Sequence, residues 1–298
     1  MKIIISEKQY RLIAEQTKVA NSPFPEYKPT DHGETIFPSN GIDWLIDWFK
    51  KVPEEKLVKT FTMKNENGSE KTMTKNEILN LLSDKSKIVV VNDPEEIKRL
   101  NGRLGFFQNS WDKNSNPKDK QYVGKLVING DWKNIIKTNP MYRDVKGNID
   151  IVKHHEQTHL LQHTQDVKGD WAANASKIIS GFCKGNPTSV CDDPFGYYSR
   201  PTEIYGHLFT MRELIGIQPA DEVVDANAVI NNKIVTINVS VNRNGKRINL
   251  PTKTMDIESS TFKTLYCCNK SFKQTLTYLH NTLAKGNNPN QSELDKIA

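Results

Sequence analysis

The segment IDIVKHHEQTHLLQHTQ, residues 149–165, reads as one helix, with Gly147 and Asn148 as the turn before it. Val152, His155, Glu156, His159, Leu160 and His163 recur at the i, i+3, i+4, i+7, i+8, i+11 spacing of a single inward-facing stripe. Within it, His155-Glu156-Gln157-Thr158-His159 sets two imidazoles one turn apart on the same face, where they can hold one metal ion. Glu156 stands beside them, placed to take a proton from a metal-bound water. The plain alternative is a histidine-rich helix packed on the core without metal. It is the weaker reading, because two His and a Glu on a buried stripe need partners.

A catalytic metal site asks for a third protein ligand and an open fourth position. His163 lies two turns from His155, about 12 Å along a straight helix, too far to share one ion. Glu203 is the better candidate. Ser199 or Arg200 caps a second helix with Pro201 in its first turn, and Gly216 and Pro219 close it. Glu203, His207, Met211 and Leu214 fall on one face of that helix, so a carboxylate and an imidazole point the same way. A first-turn Glu that favours the helix dipole is the alternative for Glu203.

His155-Glu156-x-x-His159, followed 44 residues after His159 by Glu203 on a later helix, resembles the gluzincin branch of the zincin metallopeptidases. The resemblance covers about residues 120–217. It implies Zn2+ held by His155, His159 and Glu203, with Glu156 as general base and proton shuttle. The metzincin pattern fails, since it wants Gly and His where this chain has Gln162 and Gln165. The thermolysin-like branch puts an Asp four residues after its ligand Glu. Here that position is His207, which is left open as a partner of a ligand, a transition-state donor or a core residue. In the zincin fold a sheet precedes the first metal helix and its edge strand pairs with extended substrate; Leu126-Val127-Ile128-Asn129 is the candidate edge. Tyr197 and Tyr198 come shortly before Glu203; Tyr198 is a candidate hydrogen-bond donor to an oxyanion, with a core phenol as the alternative.

The chain has 298 residues, enough for a sizeable core, and a net charge of +6 spread along its length. Lys113 to Lys120 reads as a solvated loop, and no clustered Arg with interleaved aromatics argues for nucleic acid. No apolar run approaches the roughly 18 residues of a membrane span. The apolar start stops after Ile5, unlike a signal peptide. The expected location is therefore cytoplasmic or virion-associated. Cys183, Cys191, Cys267 and Cys268 are then expected as reduced thiols, with a Cys183–Cys191 bridge as the alternative outside a cell. The first residues, Met1-Lys2-Ile3-Ile4-Ile5 and then Ser6-Glu7-Lys8-Gln9-Tyr10, are similar to proteins of tailed bacteriophages.

Along the chain, a short strand at Ile3–Ile5, a helix from Glu7 to Gln16 and an extended arm over 17–38 precede a helix from Ile42 to Lys51 with Trp44, Leu45, Trp48 and Phe49 as core anchors. A hairpin spans Leu57–Thr74 around Asn67-Gly68, a helix covers Glu77–Leu82, a strand Ile88–Val91, and Asp93-Pro94 caps a helix ending at Gly102. Leu104–Ser110 and Gln121–Asn129 are strands. A helix is expected over 170–182. Arg212 is expected beside a carboxylate near the site or on the surface. Val223–Ile230 and Ile234–Val241 alternate as strands, Asn244-Gly245 turns the chain back through Arg247–Leu250, and one closing helix runs Phe262–Leu283 with His280 on its surface; the tail from 286 is loose.

The fold class expected is α+β: a zincin-like core of mixed sheet, metal helix and helical subdomain, with a small hairpin and helix at the C-terminal side. Residues 1–102, 103–220 and 221–298 divide it. The function expected is a zinc metallopeptidase acting on a protein or peptide substrate. Two rivals stand: a zinc-stabilised structural or binding protein, such as a virion component, that cleaves nothing, and an effector protease acting on one host protein.

Overall fold

A computed structural model describes residues 30–37, 43–54, 62–64, 70–72, 74–111, 122–145, 148–165, 179, 191, 200–268 and 271–281. The expected elements at 3–16 and the tail from 286 lie outside these residues, as does the expected helix at 170–182 apart from Ile179, which is helical and buried.

The architecture is α+β. Helix α1 (Trp44–Lys51) starts at Asp43, whose carboxylate accepts the Ile46 amide, and buries Leu45, Trp48 and Phe49 as expected. A small hairpin, β1 (Thr62–Lys64) with β2 (Glu70–Thr72), leads to α2 (Lys75–Ser83), which carries a Thr74–Glu77 capping box. Strand β3 (Ile88–Val91) is buried at all four positions, α3 (Pro94–Arg99) follows from Asp93, and β4 (Gly105–Trp111) and β5 (Tyr122–Asn129) complete a sheet ordered β3-β5-β4. β5 runs parallel to β3 and antiparallel to β4. Helix α4 (Trp132–Thr138) and a 3-10 turn at Pro140–Val145 lead to helix α5 (Asp150–Gln165). Helix α6 (Pro201–Ile215) opens with Pro201 and closes at Gly216, whose φ of 86° is the left-handed cap that favours glycine.

A second sheet follows, with β6 (Glu222–Asn231), β7 (Ile234–Arg243), β8 (Lys246–Asn249) and β9 (Lys253–Asp256). β6 pairs with β7, and both β8 and β9 pair with β7. Asn244 and Gly245, at φ 53° and 77°, make the expected tight turn. Helices α7 (Ser260–Cys268) and α8 (Phe272–Leu279) close the described chain.

Several expectations are corrected. Leu126–Asn129 is not an edge: β5 is the central strand, and β3 and β4 are the outer strands of the described sheet. A strand joined on one side by a parallel and on the other by an antiparallel neighbour has no edge to offer. The closing helix is two helices, because Ser271 caps a new one by accepting the Gln274 amide. His280 is fully buried, with Nε2 2.8 Å from the Asp221 carbonyl oxygen. Arg212 is fully buried too, its guanidinium over the rings of Phe209 and Trp48 rather than beside a carboxylate. Cys191 and Cys267 form a disulfide across 76 residues of sequence, and Cys268 is also disulfide-bonded, so neither is a reduced thiol. Among the described residues no helix is long and apolar enough to cross a membrane.

Helix α5 sits at the centre. Ile149 and Leu160 pack with Ile88, Val90, Leu126 and Ile128 on one face of the first sheet, while Val89, Val91 and Val127 cover α3 through Leu100 on the other. Leu161 joins a larger core with α1, α2, α6, the second sheet and the last two helices. The expected single stripe is therefore too narrow: every residue from Lys153 to Leu161 is buried. The polar ones find partners. Lys153 Nζ lies 2.7 Å from Asp43, His154 lies 2.7 Å from Glu213 and 3.2 Å from Asp43, and Gln157 donates to the Leu82 carbonyl at 2.9 Å.

This network ties α5 to both α1 and α6. Burial lowers the His154 pKa, but its bonds to Asp43 and Glu213 outweigh that and bring it up to about 9. For Asp43, burial raises the pKa and the His154 bond and charge, then Lys153, outweigh it, holding the carboxyl well below its usual range. A depressed carboxylate contributes stability above its unfolded value, near 4, and loses it as pH falls. In chelator-treated protein, Asp43→Ala should cost about 3 kcal/mol at pH 7, because it takes a shared carboxylate from two buried cations and leaves Lys153 only Asp150 and His154 only Glu213. Denaturant unfolding followed by circular dichroism should find that gap shrinking as pH drops below about 4; a gap independent of pH would show that charge is not what Asp43 contributes.

Candidate metal centre

The i, i+4 spacing on α5 brings His155 and His159 together, with Nε2 atoms 3.2 Å apart. Glu203, in the first turn of α6, brings Oε2 to 3.5 Å from each of these nitrogens. The ligand-type atoms of the three residues all lie within 4.8 Å of one another, and the group can hold a metal ion. Both expected histidines and the expected carboxylate thus converge.

The shape of the triangle tests the fit. A tetrahedral divalent ion bonded at about 2.1 Å keeps its ligands roughly 3.4 Å apart. The observed sides are 3.2, 3.5 and 3.5 Å. The alternative, a hydrogen-bonded cluster, fits less well: Glu203 Oε2 is buried and makes no hydrogen bond. Burial pushes the Glu203 carboxyl up, yet His155 and His159 together hold it well below its ordinary value, so it stands ready as an anionic ligand.

His155 is positioned by α6 on two sides. Its Nδ1 lies 3.4 Å from Thr210 Oγ1, which in turn donates to the Gly206 carbonyl at 3.2 Å. That relay keeps the proton on Nδ1 and the lone pair on Nε2. Gly206 itself faces the ring: a Cβ there would sit 2.8 Å from His155 Cε1. Sequence reasoning missed both residues, since a glycine within a helix carries no sign of what presses on it. His207 is buried with its ring centroid 4.4 Å from that of His155, and Nδ1 lies 3.2 Å from Thr261 Oγ1. Burial, and then the neighbouring His155, lower its pKa well below the usual histidine value, so the ring is neutral. It adjoins the ligand group without belonging to it.

Glu156 is buried between two cavities. The inner one, about 80 Å³, is lined by Tyr142, Asp144, Ile151, His155, His207 and Thr261 among others. The larger one, about 410 Å³, reaches His159, Glu203 and Glu156 and is walled by Gly105, Phe106 and Phe107 of strand β4. Burial raises the Glu156 pKa, offset in part by His155 and His159 and by a hydrogen bond from the Phe107 backbone. Tyr198 and Tyr197 lie outside the described residues. Tyr142, which carried no motif, lines both cavities instead, and burial raises its pKa so that the phenol keeps its proton.

Gly206→Ala should separate site from fold. Alanine suits a helix interior better by about 1 kcal/mol, so metal-free stability holds or rises. The displaced His155 ring should weaken metal binding by roughly 10- to 100-fold, read by competition with a chromogenic chelator.

No protein-family model, curated protein or solved structure matches this chain, so the functional reading rests on the geometry of His155, His159, Glu203 and Glu156.

Proposed function

We propose that this protein is a zinc-dependent metallopeptidase of gluzincin type, hydrolysing peptide bonds of a protein or peptide substrate. The observation that carries the reading is the triangle of His155, His159 and Glu203 at the wall of a cavity of about 410 Å³, with Glu156 beside it on the same helix turn. Two imidazoles and one carboxylate suit zinc, and three protein ligands leave a position for water. A bound zinc would supply Lewis-acid polarisation of the scissile carbonyl and an acidified water.

The chain's own groups do the rest. Glu156 takes the proton of the attacking water and delivers it to the leaving amine. The Phe107 backbone bond holds that carboxylate in place at the cleft. Tyr142 offers a protonated hydroxyl from the same cavities, placed to donate to the oxygen on which charge develops. His207, neutral and packed on the His155 ring, holds the first ligand from the side opposite α5. Strand β4 walls the cleft, and an extended peptide would run along it.

Elemental analysis and a pool of internally quenched peptides test this together. Wild type and Glu156→Gln should each carry one zinc per chain, as three ligands remain, while Glu203→Ala loses most of it. Glu156→Gln should lower kcat by about 10²- to 10⁴-fold. Tyr142→Phe should lower kcat by about 10- to 100-fold with KM nearly unchanged. A zinc-loaded wild type that cleaves no peptide in the pool would instead mark a zinc-stabilised structural or binding protein.

A further inference from the structure

We propose that Thr261, backed by Asp144, keeps the fourth position of the metal centre open by holding His207 out of it. This rests on the reading of His155, His159 and Glu203 as a zinc site and adds what guards its open position. Glu203 and His207 stand four residues apart on α6, the spacing that brings His155 and His159 together on α5. By spacing alone His207 would be a fourth ligand, and a site with four protein ligands is closed, as structural zinc sites are. Yet His207 is not grouped with the ligands, although its ring centroid is 4.4 Å from that of His155. What turns it aside is Thr261, whose Oγ1 lies 3.2 Å from His207 Nδ1.

The direction of each hydrogen bond in this chain follows from its far end. Asp144, in the 3-10 turn before α5, takes hydrogen bonds from the hydroxyls of Ser259 and Thr261 and from the backbone amides of Asp144 and Val145. A carboxylate so supplied only accepts, and the single hydroxyl proton of Thr261 is committed to it. The Thr261 oxygen is left to accept, so His207 donates from Nδ1. The lone pair that a metal would bind is then on Nε2 of a ring tethered by its other nitrogen. Asp144, Ser259, Thr261 and His207 are all buried, where bulk water does not compete for these bonds. Thr261, His207 and His155 line the cavity of about 80 Å³, which gives a released imidazole room to turn. Thr261 and Asp144 are thus positioning residues that act on the metal through an imidazole they withhold.

The test uses azide, a small anion that coordinates a metal only where a position is open, and cobalt(II) in place of zinc to make that binding visible. Cobalt-loaded wild type should change its visible absorption as azide is added. Thr261→Val removes the hydroxyl at nearly constant size, and Thr261→Ala removes it with more room left behind. Either should release His207 to the metal, abolish the azide response and tighten zinc binding by about tenfold, read by competition with a chromogenic chelator. Thr261→Ser keeps the hydroxyl and should behave as wild type. When His207→Phe is added to Thr261→Val the azide response should return, because no fourth protein ligand remains. Thr261→Val and Thr261→Ala proteins that bind azide and zinc as wild type does overturn the proposal. So does a cobalt-loaded wild type blind to azide, or a double variant that stays blind to it. A wild type that takes up no cobalt overturns the metal reading as well. Azide binding that follows this pattern without any peptide cleavage sinks only the peptidase reading.

Discussion

A polar helix buried on every side is the constraint around which this protein is built. Nine consecutive residues of α5, Lys153 to Leu161, are out of water, and five of them are charged or imidazole-bearing. Each unpartnered polar group there costs free energy on the scale of a lost hydrogen bond or more. The neighbours are arranged accordingly: Asp43 at the start of α1, Glu213 near the end of α6 and the Leu82 carbonyl at the end of α2 each meet a side chain of α5. His155, His159 and Glu203 instead face one another, at 3.2, 3.5 and 3.5 Å, spaced as a metal would space them. The same burial that makes the helix costly without partners makes the triad a ligand set.

Helix α6 serves both needs, which explains its composition. Glu203 and Glu213 lie ten residues apart, one supplying a ligand to the triad and the other an anion to His154. Between them, Gly206 lets the helix approach the His155 ring and Thr210 takes up the far side of that imidazole. On its opposite face the helix presents Phe209 and Arg212 to Trp48, so the cationic and aromatic groups of α1 and α6 stack. A change in how α1 seats on α6 would therefore reach the metal ligands through one rigid helix.

Much of this was legible in the sequence because it is local. The i, i+4 histidines, Pro201 at a helix start, Gly216 at its end and Asn244-Gly245 at a turn follow from short-range geometry, and each element stands where the spacing puts it. Glu203 was reachable because helix and face were both legible. The rest depends on pairings across long separations. Asp43 meets Lys153 across 110 residues, and Cys191 meets Cys267 across 76. Strand order is of the same kind: β5 reads as a strand from its residues, but only the fold places β3 and β4 on either side of it. His280 looked like a surface residue because its partner is a backbone carbonyl, which no side-chain pattern records. The disulfide also bears on setting. Such bonds persist where thiols are not kept reduced, which takes support from the expected cytoplasmic location.

The correction at the sheet edge strengthens the link between fold and site. With β5 as the edge, the strand offered to a peptide would lie one strand away from the cleft wall. With β4 there, Gly105, Phe106 and Phe107 form that wall directly. Gly105 is needed at the point where the strand turns in over the helix, since a Cβ would meet Ile128, the Val127 carbonyl and Val152 at 3.0 to 3.1 Å. Two residues on, the Phe107 backbone bonds the Glu156 carboxylate. The strand that would register a peptide and the group that would move its proton are thus held by the same stretch of backbone. If the protein is the proposed peptidase, displacement of β4 by an ill-fitting chain would also unseat Glu156, and discrimination made along the strand would be transmitted to the proton-transfer step as well as to binding.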